Sequence, residues 1–263
     1  MYVEKANTPA PPSILEYMRA RFPDVTFTDI RTVKGVPPGY ELQGFQIKLF
    51  TIMFNQFEEF LFLDTDNMPV VDPAIIFESK LYKRTGALFW PDFCSYITVM
   101  PSAYALFDAP LPPKFPNVSP DRRHLWLNHR CMPQIPTEIQ AGDILMNKKT
   151  VWKGLWFTFF MNMHLSFFKT VIWEDKMTYP FAFNYTSTPF AITPIPFYAV
   201  GRAAGPVGEQ LFCMNTFGQR HPESGKLLWL HRYLQKFQDA VTYLRYGENI
   251  PRIWTHVCCI RVL

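Results

Sequence analysis

The arrangement of apolar and polar residues predicts a chain in which helices and short strands alternate. Residues 45–59 carry apolar side chains at helical spacing, which predicts an amphipathic helix, and residues 60–63 form a short apolar run typical of a buried strand. Short apolar segments recur at residues 87–90, 144–146 and 227–230. This alternation predicts an α/β fold with a mostly parallel sheet flanked by helices.

The same patterns predict the remaining elements. Residues 24–30 alternate apolar and polar side chains and predict a half-buried strand. Asp72 followed by Pro73 predicts a helix start, with the aspartate as N-cap. Further helices are predicted at residues 13–21, 151–170, 176–183 and 233–246. Strands and turns are expected at residues 188–206, where proline and phenylalanine are frequent.

The composition is that of a folded protein, and it limits the classes of ligand that the protein is expected to bind. Hydrophobic residues make up 48% of the 263 positions and charged residues 18%, which excludes a disordered chain. The net charge of +4 permits an anionic ligand, but no basic block indicates a nucleic acid. The N-terminus has no signal peptide, and the most apolar stretch, residues 154–168, is too short to span a membrane. Membrane contact is therefore expected only through an anchor that this chain lacks.

The most reactive feature follows the first apolar strand, where Asp64-Thr65-Asp66-Asn67 come directly after Leu63. Alternate residues of an extended chain share a side, so Asp64 and Asp66 face the same way if the strand path continues. Ligands of open α/β folds bind at the carboxyl ends of strands, where two carboxylates can hold a divalent cation on a diphosphate. The simpler structural interpretation is that Asp64 caps a turn and Asp66 is solvated.

Longer segments of the chain resemble a known family. FQIKLFTIMFNQFEEFLFLDTDNMPVVDPAIIFES, residues 45–79, is similar to the core of sugar-nucleotide-dependent glycosyltransferases of the GT-A fold, including the glycogenin-like enzymes. The chain looks most like the fungal-type α-mannosyltransferases of the Golgi. Four further segments are similar to that family in the same order: TGALFWPDF at 85–93, QAGDILMNKK at 140–149, EDK at 174–176 and GKLLWLHRYLQK at 225–236.

The resemblance implies a metal and donor site at particular residues. Asp64 and Asp66 match the motif that holds Mn²⁺ on the diphosphate of the donor. His231 matches a late histidine that completes the metal ligands. Lys48 and Lys236 match lysines that reach the donor. An imidazole beside two carboxylates also suits Mn²⁺ better than Mg²⁺.

It also implies residues around the reacting sugars. Gln140, Ala141 and Gly142 match positions beside the donor sugar, and Asp175 matches an aspartate near the anomeric carbon, so Gln140 and Asp175 are the candidate catalytic residues. On the acceptor side the candidates are Trp90, which can stack on a sugar, and Asp92. The chain departs from the family pattern where Gln140 replaces an acidic residue and where Glu174 precedes Asp175 in place of glycine.

The predicted function is transfer of a hexose, with mannose from GDP-mannose as the expected donor, to a glycan or glycoprotein hydroxyl with retention and an α linkage. The expected location is the Golgi or secretory lumen. Three alternatives stay open: a UDP-sugar donor, a haloacid-dehalogenase-type phosphatase with Asp64 as nucleophile and Asp66 as acid/base, and a non-catalytic, decayed GT-A protein that binds glycans. We predict a single domain over 1–263, with a core at 45–246 and a tail at 247–263. Its N-terminal portion, 1–44, is shortened, so that the first βα unit is reduced or missing.

Overall fold

Helices and strands alternate along the chain, as the apolar pattern predicts. A computed structural model of the protein describes residues 12–29, 33, 42, 44, 46–92, 99–110, 139–172, 175–195, 197–204, 211–231 and 259–261. The helices are α1 (Pro12–Arg21), α2 (Gln46–Phe54), α3 (Lys80–Thr85), α4 (Pro101–Leu106), α5 (Lys148–Met163), α6 (Leu165–Phe168) and α7 (Thr178–Tyr185), with a 3-10 helix at Pro73–Glu78. The α/β class is confirmed.

The strands form two sheets. They are β1 (Glu59–Leu63), β2 (Asn67–Pro69), β3 (Ala87–Pro91), β4 (Ile139–Asn147), β5 (Ala191–Ile192), β6 (Tyr198–Ala204), β7 (Leu211–Arg220), β8 (Leu227–His231) and β9 (Cys259–Arg261). One sheet has the order β1-β4-β3-β5, and the other has the order β2-β8-β7-β6 with β9 beside β7. Strand β3 runs parallel to β5 and antiparallel to β4.

The second sheet is antiparallel in every pairing that the structure describes. The link between β7 and β8, residues 221–226, is short, and a short link can only return the chain in the opposite direction. Together with the parallel pair of β3 and β5, this makes a mixed α/β arrangement.

Two predicted boundaries differ from the structure for local reasons. The helix predicted to reach residue 59 ends at Phe54, because the side-chain amide of Asn55 donates to the carbonyl oxygens of Thr51 and Ile52 and closes the last turn. The helix predicted at 151–170 begins earlier, at Lys148, since the Asn147 side chain caps it by accepting from the backbone N–H of Thr150.

The early strand predicted at residues 24–30 is wrong over its described part. Residues 24–29 form no strand, and almost all of them are exposed, so their alternating pattern is not used to cover a core. Before Gln46, the described part of the chain contains helix α1 and no strand. The helix predicted at 233–246 lies outside the described residues.

Contacts divide the chain into two compact units, each assembled from three separate segments. The first unit consists of residues 1–60, 97–115 and 147–189. The second consists of residues 61–96, 116–146 and 190–263. The single domain expected from the sequence stays a prediction. Within the described ranges, no helix is both long and apolar enough to cross a membrane.

The first unit is a helical layer centred on α5. Helix α2 contacts α5 through Phe50 and Phe159, whose ring centroids lie 5.1 Å apart at a steep angle. Helix α7 lies against the opposite part of α5, where Phe183 covers Gly154 so closely that a β-carbon there would lie 2.6 Å from the ring. Glycine at position 154 therefore lets the two helices approach.

The second unit is built around two tryptophans. Trp90 of β3 and Trp229 of β8 are both fully buried, and their rings meet edge to face with centroids 4.7 Å apart. The indole N–H of Trp90 donates to the carbonyl oxygen of Arg220 at 2.9 Å. Around this pair pack the other buried residues of the cluster, Ile76, Tyr82, Leu88, Leu145 and Leu228. This cluster supports the strand ends that carry the polar site.

We predict that Gly154→Ala destabilises the protein, although alanine is the better helix former by about 1 kcal/mol. Because the new methyl group would overlap the buried Phe183 ring, we expect a loss of about 1–3 kcal/mol in the free energy of unfolding, measured by urea denaturation. Lys153→Ala, at an exposed position of the same helix, is the control and should change stability by less than about 0.5 kcal/mol. A Gly154→Ala variant more stable than the parent would contradict the close packing of α5 and α7.

Candidate active site

The segment after β1 is held to strand β4 by one carbonyl oxygen. The Gly142 oxygen accepts the backbone N–H of Asp64 at 2.7 Å and the side-chain N–H of Asn67 at 2.7 Å. The backbone N–H of Asn67 in turn donates to the Asp64 carbonyl oxygen at 2.9 Å, which closes a tight turn over Thr65 and Asp66. The two aspartates therefore stand on a turn whose ends are both fixed.

An irregularity in β4 supplies that carbonyl. Pairing with β3 moves from Phe89↔Ile144 to Trp90↔Gln140, so residues 141–143 are extra on the β4 side and form a bulge. Bulges of this kind redirect groups near functional sites. A β-carbon on Gly142 would lie 2.7 Å from the Asn67 amide nitrogen and 3.2 Å from Asp64 Oδ2. Glycine is thus required here by the close approach of the turn.

His231 is brought to the same place by the second sheet. It is the last residue of β8 and pairs with Asn67 of β2, directly after the two aspartates. Its Nε2 lies 3.3 Å from Asp66 Oδ2, and its Nδ1 lies 2.6 Å from Gln140 Nε2. Three residues that are far apart in the sequence, Asp66, Gln140 and His231, therefore form one connected cluster.

The cluster favours the charged form of the histidine. Partial burial of the ring disfavours the cation, but the hydrogen bond and charge of Asp66, with a further contribution from the charge of Asp64, outweigh burial and raise the pKa of His231 above its ordinary value.

The donor set suits a divalent cation in part. Two ligands on adjacent positions of an octahedral ion are about 3 Å apart, and the 3.3 Å between His231 Nε2 and Asp66 Oδ2 is close to that spacing. Carboxylate oxygen and imidazole nitrogen are both suitable ligands for Mn²⁺. Within the described ranges, however, no group of three or more His, Cys, Asp and Glu side chains stands in metal-holding positions. The structure thus offers a pair of ligands, Asp66 and His231, with Asp64 beside Gly142 rather than in a three-residue group.

A second polar pair lies in the first unit. Lys48 Nζ of helix α2 is 3.6 Å from Asp175 Oδ2, and both side chains are largely buried. The sequence predicts both residues at the donor, and the structure brings these two together. Their predicted roles are not tested by this contact alone.

The remaining predicted residues have different outcomes. Trp90 was expected to stack on a sugar; this prediction is wrong, because its ring is fully buried against Trp229 and offers no face to a ligand. Ala141 is buried in the β4 bulge, and Asp92 is half-buried directly after β3. Lys236 lies outside the described residues.

Two residues that sequence reasoning missed support the site. Asn67 was passed over although it directly follows Asp66, and its buried side chain is one of the two donors on the Gly142 oxygen. Asp143 was passed over although an acidic residue inside an apolar run is unusual. Its carboxylate is fully buried, with Oδ2 accepting the indole N–H of Trp229 at 3.1 Å.

The environment of Asp143 favours its neutral form. Burial raises the pKa of the Asp143 carboxyl well above its ordinary value, and the charges of Asp64 and Asp92 act in the same direction. The Trp229 hydrogen bond and the charge of His231 oppose the shift without reversing it. Within the described part of the chain, Asp143 Oδ1 has no hydrogen-bond partner, which adds to the free-energy cost of burying the charged form.

Fold and site together define an α/β protein with a carboxylate–histidine cluster at the end of the half-buried strand β1. Comparison with known proteins then gives the family: a family model described as "Mannosyltransferase putative" matches residues 8–220. That match covers most of the chain, and the protein therefore belongs to this mannosyltransferase family.

Individual relatives carry consistent names. The chain is 28% identical over 142 residues to alpha-1,2-mannosyltransferase MNN21 of Candida albicans. The matched segment covers 48% of this chain and 21% of that protein. It is 25% identical over 186 residues to alpha-1,3-mannosyltransferase MNT3 of Saccharomyces cerevisiae, covering 63% of this chain and 28% of that protein. The chain thus spans less than a third of the length of these curated relatives.

We predict that Asp143→Asn flattens the pH dependence of stability in the metal-free protein. Since the folded state keeps the Asp143 proton after the unfolded chain has released it, the free energy of unfolding should fall as the pH rises above the ordinary value of 3.8. Asparagine cannot ionise, so the variant should gain stability relative to the parent between acid and neutral pH. Urea denaturation across this range measures the slopes.

The matched control for this change is Asp72→Asn, at an exposed aspartate that caps the 3-10 helix. Its stability should stay close to that of the parent, because asparagine is also a good cap. Equal slopes for the parent and Asp143→Asn would show that the Asp143 carboxyl titrates normally.

Proposed function

We propose that this chain is the donor-binding part of a retaining α-mannosyltransferase that moves mannose from GDP-mannose to a hydroxyl of a glycan or glycoprotein, with Mn²⁺ as cofactor. Family membership and the names of the relatives support mannosyl transfer. The single observation that carries the site is the contact between Asp66 and His231 at the fixed turn after β1. The secretory pathway is proposed as its location by resemblance.

Asp66 and His231 would hold the cation, with Asp64 on the same turn. Two protein ligands are sufficient for a cation whose remaining positions are filled by phosphate oxygens and water. When bound, such an ion neutralises charge that develops on the departing diphosphate. Lys236 is proposed to assist at the diphosphate on the resemblance alone.

Lys48 and Asp175 would act at the donor sugar. The carboxylate of Asp175 would stabilise positive charge at the anomeric carbon as the bond from that carbon to the phosphate oxygen breaks. The acceptor oxygen then forms the new bond from the same face, and its proton passes to the departing phosphate oxygen. Lys48 lies 3.6 Å from Asp175 and would position this carboxylate as well as reach the donor.

The donor is tested by calorimetric titration of the protein with GDP-mannose and with UDP-sugars, each with and without Mn²⁺. We expect binding of GDP-mannose that depends on Mn²⁺. Binding of UDP-sugars alone would refute GDP-mannose and leave a glycosyltransferase. A protein that binds no nucleotide sugar under either condition would refute the transferase, and phosphate release from a phosphoryl substrate would favour the phosphatase.

The role of His231 in the proposed site is tested by substitution. His231→Gln should reduce Mn²⁺-dependent mannosyl transfer by at least about 100-fold, because a cation ligand and its charge stabilisation are lost. The matched control is His221→Gln, since His221 also pairs with a carboxylate, Glu223, at 3.2 Å in the same unit. Transfer rates with labelled GDP-mannose should be unchanged in the control. Equal rates for both variants would remove His231 from the site.

A further inference from the structure

We propose that Gln140 is a positioning residue that sets the tautomer of His231 and, by turning its side-chain amide, lets the imidazole exchange Asp66 for a cation. The proposal rests on the proposed function in one respect, namely that a cation binds at Asp66 and His231. It differs from the sequence prediction, in which Gln140 lies beside the donor sugar.

The first step is the state of the neutral ring, at a pH above the raised pKa of His231, in the absence of a cation. Gln140 Nε2 lies 2.6 Å from His231 Nδ1, and an amide nitrogen can only donate a hydrogen bond. A neutral His231 therefore accepts at Nδ1 and carries its proton on Nε2, which faces Asp66 Oδ2 at 3.3 Å. In this tautomer Nε2 carries a hydrogen and cannot bind a cation.

The second step is the state that a cation requires. A histidine that binds a metal through Nε2 must carry its proton on Nδ1 and donate it to a nearby acceptor. Turning the Gln140 amide by about 180° replaces its NH₂ with its carbonyl oxygen, which supplies that acceptor. Glutamine can serve both states from one position, whereas glutamate offers only acceptors and methionine offers no comparable hydrogen bond.

The backbone holds Gln140 in place for this role. It lies in β4 at the edge of the bulge formed by residues 141–143, and it pairs with Trp90 of the tryptophan cluster. Its amide nitrogen would also lie 3.4 Å from a β-carbon on Gly142. The bulge that fixes the aspartate turn therefore also aims Gln140 at the histidine.

The test begins with metal-free protein carrying ¹⁵N-labelled histidine, examined by NMR at alkaline pH where the imidazole is neutral. We expect the Nε2–H tautomer of His231 in the parent, a larger share of the Nδ1–H tautomer in Gln140→Met, where only Asp66 still favours Nε2–H, and the largest share of Nδ1–H in Gln140→Glu, because a carboxylate at position 140 only accepts. The matched control is Gln219→Met, at a buried glutamine whose amide donates to the Pro91 oxygen at 2.9 Å. It should keep the parent tautomer.

The second measurement is the affinity for Mn²⁺ alone, by electron paramagnetic resonance. Gln140→Met should lower this affinity by about 10–100-fold, the usual effect of losing a hydrogen-bond partner of a ligand. Gln140→Glu should retain it, and so should Gln219→Met. This pattern separates positioning from general loss of stability, since both methionine variants remove a side-chain hydrogen bond, partly buried at Gln140 and buried at Gln219.

The outcomes distinguish this inference from the proposed function. If the parent binds Mn²⁺ and Gln140→Met binds it equally well with an unchanged tautomer, the inference is overturned and the cation site stands. If the tautomer of His231 changes with the residue at position 140 but the parent binds no Mn²⁺, the effect of Gln140 on the tautomer is supported. In that case the replacement of Asp66 by a cation and the Mn²⁺ of the proposed function are both refuted. A parent ring with its proton on Nδ1 in the metal-free protein overturns the first step directly.

Discussion

The candidate site depends on the carbonyl oxygen of Gly142. It accepts from the backbone of Asp64 and from the side chain of Asn67, and so joins the end of β1 to the bulge in β4. Because the turn lies so close, a side chain at position 142 would displace one of these donors. The same turn carries Asp66, which contacts His231 at 3.3 Å.

The same stretch of β4 connects the site to the core. Asp143, which directly follows Gly142, is buried and accepts a hydrogen bond from the indole N–H of Trp229. Trp229 lies two residues before His231. A buried carboxyl with one unsatisfied oxygen costs stability, yet it fixes the tryptophan on which Trp90 packs. In the second unit, polar contacts and core packing are therefore coupled, because two neighbouring residues of β4 take part in them: Gly142 holds the aspartate turn, and Asp143 holds Trp229.

The two polar pairs of the candidate site share a feature that bears on ligand binding. Asp66 contacts His231 in the second unit, and Lys48 contacts Asp175 in the first. Under the proposed function, a cation or an anionic donor would have to compete with these existing contacts, and the free energy of the new interactions would have to exceed what is lost. A side chain that can satisfy the histidine in both states, as Gln140 can, lowers the cost of that exchange.

The local sequence determined the elements whose signals lie within a few residues. The helix at Gln46–Phe54, the strand at Glu59–Leu63 and the cap at Asp72 follow from apolar spacing and cap chemistry, and the two aspartates directly after an apolar strand indicated the candidate site. The tertiary structure alone decided that Trp90 is core, that residues 24–29 form no strand, and that Gln140 meets His231. The positions of Trp90 and Gln140 depend on the bulge in β4 and on strand pairing between distant segments, which a local pattern of apolar residues does not specify.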